Sequence, residues 1–134
     1  MMSNNLSDLA YCAGLFDGEG CVLLKKDKDN YALRIKITST DYPVLDWLKD
    51  HFGGSIIVKQ KGGDNRRKSW DWYCSSKENM NFMFGILPYL IIKKDQVIES
   101  IEYLCSIQEG GKLTEDEIRL RKIYYLKLQE LKRA

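Results

Sequence analysis

Asp17 and Glu19, set between and before the glycines Gly18 and Gly20, are the carboxylates whose setting points most directly to chemistry in this 134-residue chain. Upstream, Ala10, Ala13, Gly14 and Gly18 recur at intervals of three and four, which puts four small residues on one stripe of a helix. Glycine inside a helix costs roughly 1 kcal/mol against alanine, so Gly14 is better explained if another backbone comes close to it. Small faces let two helix axes approach nearer than the usual separation of about 8–10 Å. Gly18 and Gly20 suit the end of such a helix, where left-handed angles and close contacts are common. Two acids beside a helix C-terminus are electrostatically unfavourable, since that end already carries partial negative charge, and a cation relieves the conflict. The chemistry indicated is a carboxylate held at a close helix–helix contact to bind a hard metal. A plain C-cap with solvated acids has the same spacing, and on spacing alone is the slightly simpler reading.

The elements that must position this helix, about residues 8–18, follow directly. Residues 21–26 are β-prone, and in YALRIKITS, 31–39, Ile35 and Ile37 alternate with Arg34, Lys36 and Thr38. Residues 26–30 form the polar turn between them. Residues 55–61 and 68–75 make a second strand pair around the turn Gly62-Gly63-Asp64-Asn65. Alternation sends Ile56 and Val58 to the core and Lys59 and Lys61 to the far side. It sends Trp70, Trp72 and Cys74 inward and Ser69, Asp71 and Tyr73 outward. Antiparallel sheets with one covered and one wet face show this pattern, and a twisted β-ribbon fits the major groove of B-DNA. The candidate DNA contacts are Lys25, Arg34, Lys36, Thr38, Lys59, Lys61, Arg66, Arg67, Lys68, Asp71 and Tyr73. Arg and Lys read guanine edges and phosphates, Asp71 is suited to accept from cytosine N4, and Tyr73 packs or hydrogen-bonds. Charge distribution agrees. Net charge is only +2, yet residues 25–68 hold eleven Lys or Arg against six Asp or Glu, and the rest ten against thirteen.

Helices fill the intervals. Asp41 caps a helix over 42–52 that Gly53-Gly54 ends, with Val44, Leu45, Leu48 and Phe52 as its apolar stripe. Ser76 caps a helix over 77–87 with Met80, Met83, Phe84 and Leu87 inward, and Pro88 breaks it. A helix near 94–107 shows Val97, Ile98, Ile101, Leu104 and Cys105 as its face. Gly110-Gly111 is a joint. Thr114 and Glu117 form a capping box for a last helix, about 114–132, with Ile118, Ile123, Tyr124, Leu128 and Leu131 inward.

Composition narrows the functional classes. One domain, 1–134, has enough chain for a real core, with 44% hydrophobic and 30% charged residues. No apolar run approaches the roughly 18 residues that span a membrane, and the first residues, MMSNNLSD, lack the features of a secretion signal. An intracellular, unsecreted protein with no membrane partner is expected, in the cytoplasm or the organelle that houses the host DNA. Cys12, Cys21, Cys74 and Cys105 show no CxxC spacing and read as reduced thiols, mostly in the core. The single histidine, His51, argues against histidine-based triads and multi-histidine metal sites, and its helical position reads as surface or boundary.

The segment CAGLFDGEG, residues 12–20, resembles the nine-residue motif that names the LAGLIDADG homing endonucleases. Ala13, Gly14, Leu15, Asp17 and Gly20 match letter for letter; Phe16 is an apolar stand-in, Cys12 replaces the leading leucine, and Gly18-Glu19 replaces Ala-Asp. ITSTDYPVLDWLKDHFGG and LPYLIIKKDQ are also similar to family phrases, and the resemblance runs from about residue 9 to 104. It implies an α+β, αββαββα fold with a four-stranded antiparallel saddle sheet over DNA and helices on one face. It also implies metal-assisted hydrolysis of phosphodiesters in both strands, leaving 3′ overhangs. By motif position Glu19 is the metal carboxylate, Gly18 offers its backbone carbonyl, and Lys93 and Ser39 join Glu19 as catalytic candidates. Carboxylate oxygens suit Mg²⁺ (or Mn²⁺). Asp17 is read as capping or supporting the helix interface rather than binding metal.

A second xAGxxDxxG is absent from the sequence. The resemblance is therefore to the single-motif type, which implies a homodimer through Ala10, Ala13, Gly14 and Asp17, reading a palindromic or near-palindromic site. Two other readings stay open: a DNA-binding regulator on the same fold without cleavage, against which Glu19 and Lys93 argue, and an intron RNA-splicing maturase, with intron RNA as a further partner.

Overall fold

The computed structural model describes residues 5–107 and 110–133. Residues 1–4, on which the reading of the leader partly rests, lie outside them. Helix α1, Leu6–Glu19, starts at Asn5, whose side-chain oxygen accepts from the Asp8 amide at 2.8 Å. There follow strands β1 (Gly20–Asp27) and β2 (Asn30–Ser39), helix α2 (Tyr42–Phe52), strands β3 (Ser55–Gln60) and β4 (Ser69–Tyr73), and helix α3 (Asn79–Ile86). A short 3-10 turn, Leu87–Tyr89, leads to α4 (Lys94–Ser106) and α5 (Glu115–Arg133). The strands form one antiparallel sheet in the order β1-β2-β4-β3. The fold is α+β in the expected αββαββα order, with two further helices after it.

Side-chain alternation explains which face the helices cover. Along β2, Tyr31, Leu33, Ile35 and Ile37 are buried, while Ala32 and Arg34 are exposed and Lys36 and Thr38 half-buried. Val22 and Leu24 of β1 and Trp72 of β4 bury against the same core. At its centre Phe82 of α3 meets Phe52 at 4.8 Å, Trp72 at 5.4 Å and Phe16 at 6.1 Å between ring centroids. The Trp72 indole N–H donates to the Gly53 carbonyl at 2.9 Å, so this buried ring leaves no polar group unpaired.

Several expectations shift. The first hairpin has a two-residue turn, Lys28-Asp29, with Lys28 at φ 57° and Asp27 paired to Asn30. Ladder bonds use backbone groups, so polar Lys26, Asp27 and Asn30 extend the strands instead of forming a loop. Strand β3 carries an irregularity between Val58 and Gln60, and Lys61 lies past its end. On this edge strand Val58 is exposed rather than inward. Helix α3 begins two residues late without a side-chain cap, because 75–78 make a turn closed by the Glu78 amide on the Ser75 carbonyl. Its buried residues are Asn79, Phe82, Met83 and Ile86, one position out of phase with the expected stripe, and Phe84 is 54% exposed. The segment is apolar in both phases, and tertiary packing selected the one that includes Asn79.

Helix α5 packs on α4 and reaches the sheet, which reorders both helices' faces. Tyr125 stacks on Tyr31 with centroids 4.8 Å apart, and the Tyr103 hydroxyl donates to the Tyr31 carbonyl at 2.5 Å. Lys132 Nζ donates to the Val22 carbonyl on the β1 edge at 2.9 Å. Between the helices Glu99 is buried, its Oε2 3.2 Å from Lys127 Nζ. Ile98, Cys105 and Ile123 are therefore on the outside, contrary to expectation, while Tyr103 and Arg121 are buried. His51 is buried too: Nδ1 lies 2.9 Å from the Trp47 carbonyl, Nε2 lies 3.6 Å from Asp8 Oδ2, and its ring centroid is 4.2 Å from that of Trp47. A helix end that packs against α1 turns an apparent surface position into a core one. Among the described residues no helix is long and apolar enough to cross a membrane.

Candidate active site and nucleic-acid interface

The end of α1 is built around a steric requirement at Gly20. A Cβ there would sit 2.2 Å from Phe16 Cδ1, and Phe16 is fully buried. The Gly20 amide donates to the Phe16 carbonyl and ends the helix. Glu19, the last helical residue, is exposed, and among the described residues its carboxylate has no hydrogen bond or ion pair. No basic residue occupies the last turn of α1 to offset it.

Asp17 behaves as a capping residue. Its Oδ2 accepts from the Ile91 amide at 2.8 Å, and its Oδ1 from the Ile92 and Lys93 amides at 3.1 and 3.0 Å. Lys93 reaches back: Nζ donates to the carbonyls of Phe16 at 3.2 Å and Gly20 at 2.5 Å, and lies 5.8 Å from the Phe16 ring centroid. The structure thus brings Lys93 to the end of α1, with its ammonium placed on helix-end carbonyls. Ser39 is at the same end of the sheet, two residues beyond Ile37, the partner of Gly20. Its Oγ accepts from the Asp41 amide at 2.9 Å, which helps start α2.

The donors at this end of α1 are of the type that suits a divalent cation. The Glu19 carboxylate and helix-end carbonyls such as that of Gly18 are hard oxygens, the type that Mg²⁺ takes. Among the described residues, no group of three or more His, Cys, Asp or Glu side chains comes together. One copy therefore supplies a fitting but partial set, which water, a phosphate or a second copy would complete.

The outward stripe of α1 is not quite the expected one. Ala13 is fully buried in the chain's own core and Asp17 is engaged with residues 91–93, so neither lies on the free face; a helical phase that buries Phe16 also buries Ala13. Ala10, Gly14 and Gly18 are exposed, and among the described residues an added Cβ at Gly14 or Gly18 meets nothing within 4 Å. Leu6 (71% exposed), Ile91 (86%) and Ile92 (72%) are uncovered as well. Sequence reading overlooked the two isoleucines; three apolar residues, Leu90 to Ile92, directly before Lys93-Lys94 were the available signal.

The sheet's outer face carries cross-strand rows. Cys21, Lys36, Tyr73 and Ser55 align across the four strands, with Leu23 opposite Arg34 and Lys25 opposite Ala32 in the hairpin. Lys25, Arg34 and Lys59 are exposed, and Lys36 and Tyr73 half-buried. Lys61, Arg66, Arg67 and Lys68 are exposed around the second turn, where Gly63 pairs with Arg66; Lys68 Nζ lies 5.4 Å from the Trp70 ring centroid. Thr38 and Asp71 are placed differently from expectation. Asp71 is only 8% exposed, and its Oδ1 accepts from the Thr38 hydroxyl at 2.5 Å, so the pair spends polar atoms on itself.

A sequence profile of the family described as LAGLIDADG endonuclease matches residues 12–96. No curated protein matches the chain. Among solved structures, the fold is similar to that of the archaeal intron-encoded homing endonuclease I-Vdi141I complexed with DNA, at TM-score 0.75 and 19% identity, covering 93% of this chain and 84% of that one. It is also similar to the homing endonuclease I-TnaI, at TM-score 0.58 and 19% identity, covering 98% and 96% of the two chains. Meganuclease I-SmaMI bound to uncleaveable DNA gives TM-score 0.64 and 19% identity over 97% of this chain and 47% of its own. At these identities the likeness is one of fold. The profile covers well over half of the sequence, motif included, and on that ground the chain belongs to the LAGLIDADG endonuclease family.

Proposed function

We propose that this protein is a homodimeric, site-specific homing endonuclease that acts on double-stranded DNA. The outer face of the sheet holds a long palindromic or near-palindromic site, and both strands are cut to leave 3′ overhangs. One observation carries the reading. The Glu19 carboxylate, unpartnered among the described residues, ends a helix whose exposed positions Ala10, Gly14 and Gly18 have no side chain larger than methyl, and among the described residues an added Cβ at Gly14 or Gly18 meets nothing within 4 Å. Pairing that face across a two-fold axis brings two Glu19 carboxylates together. Arg34, Lys36, Lys25 and Lys59 then neutralise phosphates and contact base edges on each half-site.

Within each copy Glu19 and the Gly18 carbonyl would hold the divalent ion, Mg²⁺ or Mn²⁺. When bound, that ion supplies charge stabilisation at the scissile phosphate and an activated water. Lys93 balances the partial negative charge of the helix end. Thr38 and Asp71 fix the β2–β4 register beneath the DNA. The chain works inside the cell, in the cytoplasm or the organelle that houses its host DNA.

Incubation with a randomised DNA library and Mg²⁺, followed by sequencing of the cut ends, tests the reading. A two-fold symmetric consensus with 3′ overhangs is expected, absent with Glu19→Gln, while that variant still retards DNA in a gel with Ca²⁺ present. Cut ends no more frequent than with the variant would remove cleavage and leave a DNA-binding regulator.

A further inference from the structure

Residues 90–93 carry few anchors of their own. Leu90 is buried, but the next two side chains, Ile91 and Ile92, project outward, and Lys93 starts α4 without a side-chain cap. What holds this backbone is a carboxylate from 74 to 76 positions away: all three consecutive amides, of Ile91, Ile92 and Lys93, point at Asp17. Bonds from N–H to an ionised acceptor are the stronger kind, and the acid also sits at the favourable, N-terminal end of α4. Lys93 closes the circuit on the Phe16 and Gly20 carbonyls, either side of Asp17 and Glu19. The two contacts form one clamp, in which the carboxylate fixes the loop and the loop delivers the ammonium.

We propose that Asp17 is a positioning residue for cleavage, acting through Lys93. By holding the three amides it places a cation on the carbonyl end of α1. It thereby fixes the backbone from which Glu19 projects, and offsets the negative charge that would otherwise gather there. This rests on the endonuclease reading above, but the clamp itself is testable without DNA or metal.

In the metal-free protein, Asp17→Ala is expected to speed hydrogen exchange of the Ile91, Ile92 and Lys93 amides by about tenfold or more, as loss of hydrogen bonds to a charged group implies. Asp17→Asn keeps an oxygen for the Ile92 and Lys93 amides and should release mainly Ile91. In cleavage, Asp17→Ala should lower kcat by about 10–100-fold, the range typical of residues that orient ligands from behind, with KM for DNA unchanged and Asp17→Asn in between. Lys93→Met should lower kcat comparably, and the double variant should be no slower than Lys93→Met alone. A double variant slower by the full Asp17→Ala factor, or an Asp17→Ala enzyme with wild-type kcat, overturns the proposal. If Asp17→Ala does not fold, exchange and kcat of Asp17→Asn decide the matter, and wild-type values for both overturn it. Failure of the endonuclease reading shows differently, as a wild type that cuts nothing; unchanged exchange in Asp17→Ala marks failure of the clamp.

Discussion

Alanine at Gly14 separates the behaviour of one copy from that of two. Among the described residues an added Cβ meets no atom beyond its own helix turn within 4 Å, so the isolated copy has room for it. Helix propensity then favours the variant by about 1 kcal/mol, which at this chain length raises Tm by roughly 3–6 °C. At the proposed two-fold seam the outcome reverses. Each copy brings a methyl group against the opposite backbone, and overpacking of a tight contact costs about 1–3 kcal/mol. A net loss of about 2 kcal/mol weakens association roughly 30-fold. Wild-type Tm should rise with protein concentration, because the dimer binds only folded chain. Gly14→Ala should be the more stable form in dilute solution and the less stable in concentrated solution, and the two melting curves should cross. Sedimentation across the same range should place the variant's dimer at higher concentration. A variant more stable at every concentration, with wild-type sedimentation, would show that no second backbone lies over Gly14 and would end the dimer argument.

Other consequences follow from the same structure. Alanine at Arg34, Lys36, Lys59 or Lys61 should flatten the slope of log K against log salt by about 0.9 for each phosphate left without its cation. Where the side chain reads a base edge instead, the cost should be about 1–3 kcal/mol at one base pair. If all four leave affinity, slope and site preference unchanged, the sheet is not the DNA surface. Gly20→Ala should destabilise folding by about 1–3 kcal/mol in denaturant titrations, because its Cβ would lie 2.2 Å from the buried Phe16 ring. Burial, with Asp8 or Glu78 nearby as the lesser cause, pushes the Cys12 and Cys74 thiols from 9.0 up to about 12. At pH 8 a thiol reagent should label exposed Cys105 rapidly and these two only on unfolding. These raised values also set a sign: the unfolded chain ionises both thiols near pH 9 while the folded one resists, so their contribution to stability is present below about 9 and is lost as pH rises toward 12. A Cys12→Ala, Cys74→Ala double variant should flatten that alkaline decline in denaturant midpoints.

Local patterns in the sequence determined much of this molecule. Alternation in YALRIKITS fixed which face of β2 is wet, and Asp41 and the Thr114–Glu117 box set helix starts, because each signal acts within a few residues of itself. The motif located the acidic helix end, since spacing alone brings Gly18, Glu19 and Gly20 together. Phase and partnership were different. Ala13 and Gly14 are equally small, and only the packing of Phe16 decided that Ala13 turns inward and Gly14 outward. Helix α3 is apolar in two phases, and the sheet and α2 chose the one that buries Phe82. Asp71 reads as a free acceptor until Thr38, 33 positions away, is set beside it. Asp17 and Lys93 become one unit only when the chain returns to α1 after more than seventy residues. Periodicity reports the face an element offers, whereas a hydrogen-bond partner in a distant segment is fixed only when both segments bury their apolar sides together.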